Sequence, residues 1–240
     1  MDGILVINKP EGMTSHDVIS RLRRKYGQKK FGHAGTLDPM ASGVLVILAG
    51  KAAKLLQFLP DTDKEYIATV QLGKSYDTDD IWGQPTAERE ISRDFDFQNE
   101  LNRFKGKLHQ KVPAVSAKKV NGKKLMEYQR CDQQVPDVYS DVEVYDIQPL
   151  DKDSLKFQVS CSSGTYIRSI CRDLGENTGN LAAMSSLVRT KACGFDLSQA
   201  EDLDKEQHTV HEMAEILSFL PQYAFDPVSD IYTGKSVHID

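Results

Sequence analysis

Gly32-His33-Ala34-Gly35-Thr36-Leu37-Asp38-Pro39-Met40-Ala41-Ser42-Gly43-Val44-Leu45 presents one carboxylate on a glycine-rich loop directly ahead of an apolar segment. Gly32, Gly35 and Gly43 permit backbone conformations that a side chain forbids, and Asp38-Pro39 favours a turn or a helix start. Two local readings follow. Asp38 is either the N-cap of a helix with Pro39 at its first position, or a carboxylate displayed for chemistry on a sharply shaped loop.

Outward from this loop the chain reads as α+β. Ile4 to Ile7 is a short apolar strand, and His16 to Tyr26 places Val18, Ile19 and Leu22 at helical spacing ahead of a basic end. Val44 to Leu48 is a buried strand, while Tyr66 to Leu72, Val142 to Ile147 and Leu155 to Val159 alternate or cluster as strands. Phe95 to Phe104 and Tyr166 to Glu176 suit helix in part. Strands and helices arrive in irregular order, without repeats, which predicts a mixed, largely antiparallel sheet with flanking helices. Lys111 to Gln134, with Pro113, Asn121-Gly122 and many lysines, reads as a basic hairpin or mobile insertion.

With 240 residues and 40% hydrophobic content the chain can bury a full core, as one large domain or a domain plus an appendage. No apolar run approaches the roughly 20 residues of a membrane span, and the start MDGILVINKPEG lacks the pattern of a signal peptide. A cytoplasmic enzyme without membrane contact is the expectation. Cys131, Cys161, Cys171 and Cys193 show no metal-ligand spacing and read as reduced structural thiols, with no zinc site. The net charge of −5 hides an uneven distribution. Residues 196–240 carry ten Asp/Glu against two Lys, whereas residues 101–130 carry nine Lys/Arg against the single acid Glu127. Arg21, Arg23, Arg24, Lys25, Lys29 and Lys30 form a second basic cluster. Each cluster alone reads equally as a solvated face or as a phosphate-binding surface.

The stretch around Asp38 resembles the active-site motif of the pseudouridine synthases, specifically the TruB branch that modifies the T-loop uridine of tRNA, position 55 in tRNA numbering. The resemblance extends along residues 1–195. Gly3 to Ser15 is similar to the family's opening, Asp63-Lys64-Glu65-Tyr66 to its second motif, and Ser162 to Ile170 to its third. Asp173-Leu174-Gly175 and Leu187-Val188-Arg189-Thr190 follow in the family's order. Met126 and Cys131 depart from it, at positions where a tyrosine and a glycine are common.

The resemblance implies a pseudouridine synthase fold and an isomerisation that needs no cofactor. Asp38 is implied as the essential aspartate, and Arg168 as the cation that keeps it ionised, its planar fork suited to a bidentate contact. Tyr66 is implied to stack on the uracil and move a proton, with Tyr166 and Leu187 lining the pocket. His33 matches the histidine that enters the T loop in place of the flipped base, and its position between glycines predicts exposure. Asp80 matches a further substrate-site position. Ordinary core positions for Tyr66, Tyr166 and Leu187, and an acidic turn for Asp80, fit the residue types as well. Lys9-Pro10 is expected to pack beneath the active loop. Lys118, Lys119, Lys123 and Lys124 are expected to grip the RNA backbone from the insertion at about 105–134. The expected partner is the tRNA T stem-loop, with no obligatory protein partner. Residues 196–240, with an apolar helical pattern at Val210, Met213, Ile216 and Leu217, read as a short acidic extension, either a reduced C-terminal RNA-binding domain or the start of a truncated one. Two other functions share much of this pattern: the RNA-guided rRNA branch of the same enzymes, and a non-catalytic tRNA-binding or folding module.

Overall fold

Two uninterrupted apolar runs, Ile4 to Ile7 and Val44 to Ala49, are buried on both sides, which is where such runs belong in a sheet covered on each face. The computed structural model describes residues 1–54, 56–59, 63–131 and 133–218. Its strands are β1 (Gly3–Lys9), β2 (Phe31–Ala34), β3 (Ser42–Ala49), β4 (Lys64–Leu72), β5 (Lys74–Tyr76), β6 (Pro85–Glu88) and β7 (Gly106–Lys111) in the first half. The second half supplies β8 (Lys119–Val120), β9 (Lys123–Lys124), β10 (Tyr139–Asp151), β11 (Lys156–Cys161), β12 (Ala182–Ala192), β13 (Phe195–Asp196) and β14 (Glu201–Asp202). The α-helices are α1 (Ser15–Tyr26), α2 (Phe97–Asn102), α3 (Leu125–Arg130), α4 (Ile167–Asn177) and α5 (Met213–Ile216).

The main sheet runs β14-β1-β3-β12-β4-β11-β10-β7, with β2 added to β3 and β13 to β12. Among these described strands, only the β1/β14 and β3/β12 pairings are parallel. Leu5, Ile7, Leu45 and Ile47 pack on one face with Val18, Ile19 and Leu22 of α1 and Ile170 and Leu174 of α4. Ile4, Val6, Val44, Val46 and Leu48 alternate to the other face and pack with Leu59 and Phe195. Helix α1 is opened by a reciprocal cap: Thr14 Oγ1 accepts from the Asp17 N–H at 3.0 Å, and the Thr14 N–H donates to Asp17 Oδ2 at 2.9 Å. Gly27, in the left-handed region, closes it.

The expected strands and helices are present, with β11 beginning at Lys156 because Leu155 sits in a turn at φ 52°. Three differences have physical reasons. No helix starts at Asp38: the Ala41 N–H closes a turn onto the Asp38 carbonyl at 3.1 Å, and β3 begins at Ser42. Strand β12 had no sequence signal, because register shifts between Met184 and Ser186 and between Arg189 and Lys191 break its alternation. In the acidic extension the helix is confined to Met213–Ile216, since His211 bridges Ile4 and Val210 joins the main core. The expected division between residues 195 and 196 falls within β13. Residues 219–240 lie outside the described residues.

The insertion contains a basic hairpin. Asn121 and Gly122, at φ 51° and 80°, form the turn between β8 and β9, the positive-φ pair that a two-residue hairpin loop requires. The cluster at Arg21 to Lys30 is partly engaged by groups of the chain itself. Arg21 Nη2 pairs with Asp204 Oδ1 at 2.7 Å, Arg23 Nη2 donates to the Phe31 carbonyl at 3.1 Å, and Lys25 Nζ donates to the Lys205 carbonyl. No helix of the described residues is long and apolar enough to cross a membrane.

Candidate active site

The loop that carries Asp38 is short of regular structure, so its backbone groups need partners elsewhere. Ser15 Oγ, at the start of α1, accepts from the Leu37 N–H at 2.9 Å and donates to the Leu37 carbonyl at 3.1 Å. The Gly12 N–H and Lys9 Nζ both donate to the Pro39 carbonyl, at 2.8 and 3.3 Å. Lys9, fully buried, also donates to the carbonyls of Met13 and Pro10, so it lies beneath the loop as the sequence predicted. Burial pulls its pKa down to about 8, against the opposing pull of Asp38.

Arg189 secures the loop from the other side. Its guanidinium is inaccessible to solvent and donates to the carbonyls of Val44 at 2.7 Å, Gly35 at 3.2 Å and Thr36 at 3.4 Å. Gly43 lies opposite Arg189 in the parallel β3/β12 pairing at φ 105°, and a Cβ there would fall 2.2 Å from the Arg189 carbonyl oxygen. A glycine is therefore required for β12 to approach the loop.

Asp38, Tyr66, Tyr166, Arg168, Leu187 and Lys118 line one cavity of about 370 Å³, in the size range of small-ligand sites. Arg168 Nε stands 3.0 Å from Asp38 Oδ2; the arginine is 5% exposed and the aspartate 35%. The expected two-pronged contact is not formed. Arg168 Nη1 donates to the Thr78 carbonyl at 2.7 Å and Nη2 to the Val115 carbonyl at 3.0 Å, bonds that turn the terminal nitrogens toward the backbone and present Nε to the carboxylate. Asp80 sits behind the arginine, away from the cavity wall. Its Oδ2 is 3.7 Å from Arg168 Nη1, while its Oδ1 accepts from Thr78 Oγ1 and the Trp82 N–H.

Tyr66 is buried between β11 and β12, and burial pushes its phenol up to about 12 against the pull of the Arg189 guanidinium. Burial also raises the Tyr166 phenol. His33 departs from expectation: it is half-buried on β2, and its Nδ1 has neither solvent nor a hydrogen-bond partner. Antiparallel pairing of β2 with β3 holds it there, and burial lowers its pKa. Of the insertion's lysines, Lys118 and Lys119 are exposed, with Lys118 Nζ 3.1 Å from Ser140 Oγ. Lys123 and Lys124 are half-buried, and Lys123 donates to Gln133 Oε1 at 2.7 Å.

Lys64 and Arg189, quoted in motifs but given no role by sequence reasoning, both belong to the site. Lys64 lines the cavity, its Nζ 3.2 Å from Ser163 Oγ, and burial lowers its pKa. Its signal lay in the Asp63-Lys64-Glu65-Tyr66 motif. Among the described residues no group of three or more His, Cys, Asp or Glu could hold a metal ion. The arrangement is a single anchored carboxylate facing the aromatic and aliphatic surfaces of Tyr66, Tyr166 and Leu187, with Lys64, Lys118 and Arg168 on the same lining, which suits a flat ring carried on an anionic backbone.

A family model for the TruB family pseudouridylate synthases, N-terminal domain, matches residues 23–167. The tRNA pseudouridine synthase B of Lactobacillus johnsonii is 42% identical over 216 residues, 85% of this chain and 73% of that protein. The tRNA pseudouridine synthase B of Acaryochloris marina is 44% identical over 207 residues, 83% of this chain and 71% of that protein. Among solved structures, an H/ACA RNP bound to a substrate RNA containing 2′-deoxyuridine aligns at TM-score 0.61 and 27% identity, over 84% of this chain and 51% of that chain. A Cbf5-Nop10-Gar1 complex aligns at TM-score 0.60 and 29% identity, over 79% of this chain and 48% of that one. This chain thus spans about half the length of those two matched chains.

Proposed function

Because the chain belongs to the TruB family of pseudouridylate synthases, we propose that it isomerises the T-loop uridine of tRNA, position 55, to pseudouridine, with Asp38 as the essential catalytic residue. The observation that carries this reading is the Asp38 carboxylate, tethered by Arg168 at 3.0 Å and facing a cavity walled by Tyr66, Tyr166 and Leu187. The reaction breaks the bond from C1′ to N1 and forms one from C1′ to C5. No electrons are exchanged and no group is lost: C5 releases a proton and N1 gains one, so one carboxylate and one donor suffice. Attack of Asp38 on C1′, proton removal from the sugar, and addition to C6 all call on the same carboxylate.

The target base lies in a folded arm and must be extruded before it can reach Asp38. Tyr66 and Leu187 then offer flat and aliphatic surfaces to the ring, and Tyr66 remains a protonated donor at any neutral pH because its phenol titrates near 12. Residues 1–195 form the catalytic unit in this reading, and the insertion at about 105–134 holds the RNA through Lys118, Lys119, Lys123 and Lys124. His33, half-buried on β2, would enter the T loop. The protein acts in the cytoplasm, without a cofactor or an obligatory protein partner.

The test is pseudouridine formation by the protein alone on a T-arm stem-loop. Product on this naked RNA supports the reading. Product only after a guide RNA and partner proteins are added would assign the chain to the RNA-guided branch, and binding without product would make it a non-catalytic module.

A further inference from the structure

We propose that Gln110 is a positioning residue that sets the base-facing wall of the cavity by fixing where α4 begins. This rests on the catalytic reading above. Gln110 is on the edge strand β7, where its neighbours Lys107, His109 and Lys111 face solvent, yet it is only 4% exposed. Both ends of its carboxamide bond one residue: Oε1 accepts from the Tyr166 N–H at 2.8 Å and Nε2 donates to the Tyr166 carbonyl at 3.0 Å. A backbone N–H can only donate and a carbonyl can only accept, so the partners fix which end of the amide is which.

Tyr166 is the N-cap of α4, and its own side chain caps nothing. A capping Ser, Thr, Asn or Asp would bond the N–H of the second or third helical residue; Gln110 instead holds the backbone of the N-cap residue itself, from a strand 56 residues earlier. The next residues of that segment continue the attachment. The Lys111 carbonyl accepts from Ser169 Oγ at 2.8 Å, and the Val115 carbonyl accepts from Arg168 Nη2 at 3.0 Å. Segment 110–115 is therefore bonded along the first turn of α4, the turn that carries Tyr166 into the cavity and Arg168 to Asp38. Gln110 itself does not line the cavity. It acts through Tyr166.

Gln110→Glu tests this, because the ionised carboxylate still accepts from the Tyr166 N–H but turns a second oxygen toward the Tyr166 carbonyl. Protonation restores a donor there, and burial raises the pKa of such an acid into an accessible range. Single-turnover rates on the T-arm stem-loop at saturating RNA are compared with wild type from about pH 5.5 to about pH 8. The expected result is a rate reduced about 10- to 100-fold at the alkaline end, the scale of a misplaced wall, with the ratio to wild type rising toward one as pH falls. A ratio that stays constant with pH, or stays at one, overturns the proposal, as does a ratio that only tracks the folded fraction of the variant read by circular dichroism at each pH. If Gln110→Glu fails to fold, Gln110→Asn, which keeps both groups on a stem one methylene shorter, is expected to lower the saturating rate while leaving RNA affinity within a few-fold. An unchanged rate for that variant also overturns the proposal. A wild-type protein that makes no pseudouridine defeats the catalytic reading itself, whereas an active wild type with a flat ratio defeats only the role of Gln110.

Discussion

Asp38 and Arg168 meet through one oxygen and one nitrogen, while the other two guanidinium nitrogens are held by backbone carbonyls of Thr78 and Val115. Asp38→Asn keeps the shape and removes the charge. It is expected to abolish pseudouridine formation while leaving RNA affinity within a few-fold, as comparison of turnover with binding will show. Arg168→Lys cannot span Asp38, Thr78 and Val115 at once, so single-turnover rates should fall about 100-fold or more, the scale of a 1 Å misplacement. Tyr66→Phe preserves the buried ring and deletes the donor. A rate equal to wild type, with Tyr66→Leu inactive, would show that stacking alone is its contribution. That Asp38, Tyr66 and Arg168 share one cavity was legible only because each sits in a contiguous motif of the family. Arg189 was not, since its role consists of carbonyls 145 to 154 residues away. Gln110 carries no local signal, because any polar residue on an edge strand looks solvated until its partner is known.

The hairpin β8–β9 and the parallel β3/β12 pairing are the elements whose behaviour is most readily measured. Replacing Lys118, Lys119, Lys123 and Lys124 together by Gln should weaken RNA binding at low salt and flatten the slope of log affinity against log salt, by about 0.7 to 0.9 for each phosphate no longer neutralised. Lys123, already bonded to Gln133 and lying over the Tyr128 ring, should contribute least when the four are changed singly. At β3/β12, Gly43→Ala places a methyl against the Arg189 backbone and strains a positive φ. A loss of roughly 2 kcal/mol or more in denaturant unfolding is expected, with activity falling too because Arg189 is displaced. The hairpin was legible from Asn121-Gly122 and its lysines. His33 is less exposed than its flanking glycines imply, because the pairing of β2 with β3 half-buries it.

For the molecule as a whole, burial of titratable groups sets a response to alkali. Burial pushes Cys161 up to about 11 and Tyr66 up to about 12, and it raises Cys171 as well. Above about pH 9, the ordinary thiol value, the unfolded chain releases these protons first, so the stability they contribute falls as pH rises toward their folded values. Lys9 works the other way. With its folded value near 8 and its unfolded value near 10.5, it favours the folded state increasingly across that interval. The acids outnumber it, so urea midpoints should drop between about pH 9 and about pH 11, and Cys161→Ala should reduce the drop. The α+β class and the sheet were legible because most strands carry their own apolar pattern; the attachment of the acidic extension was not, since β14 is two residues long and is defined only by its pairing with β1. The Arg189 lock also orders events in time. A ribosome releases the Asp38 loop early, but the side chain that fastens it from β12 is translated about 150 residues later, so the nascent chain presents the motif before Arg189 exists to hold it. Chains released before residue 189 should yield no pseudouridine even where β1, α1 and β3 have formed.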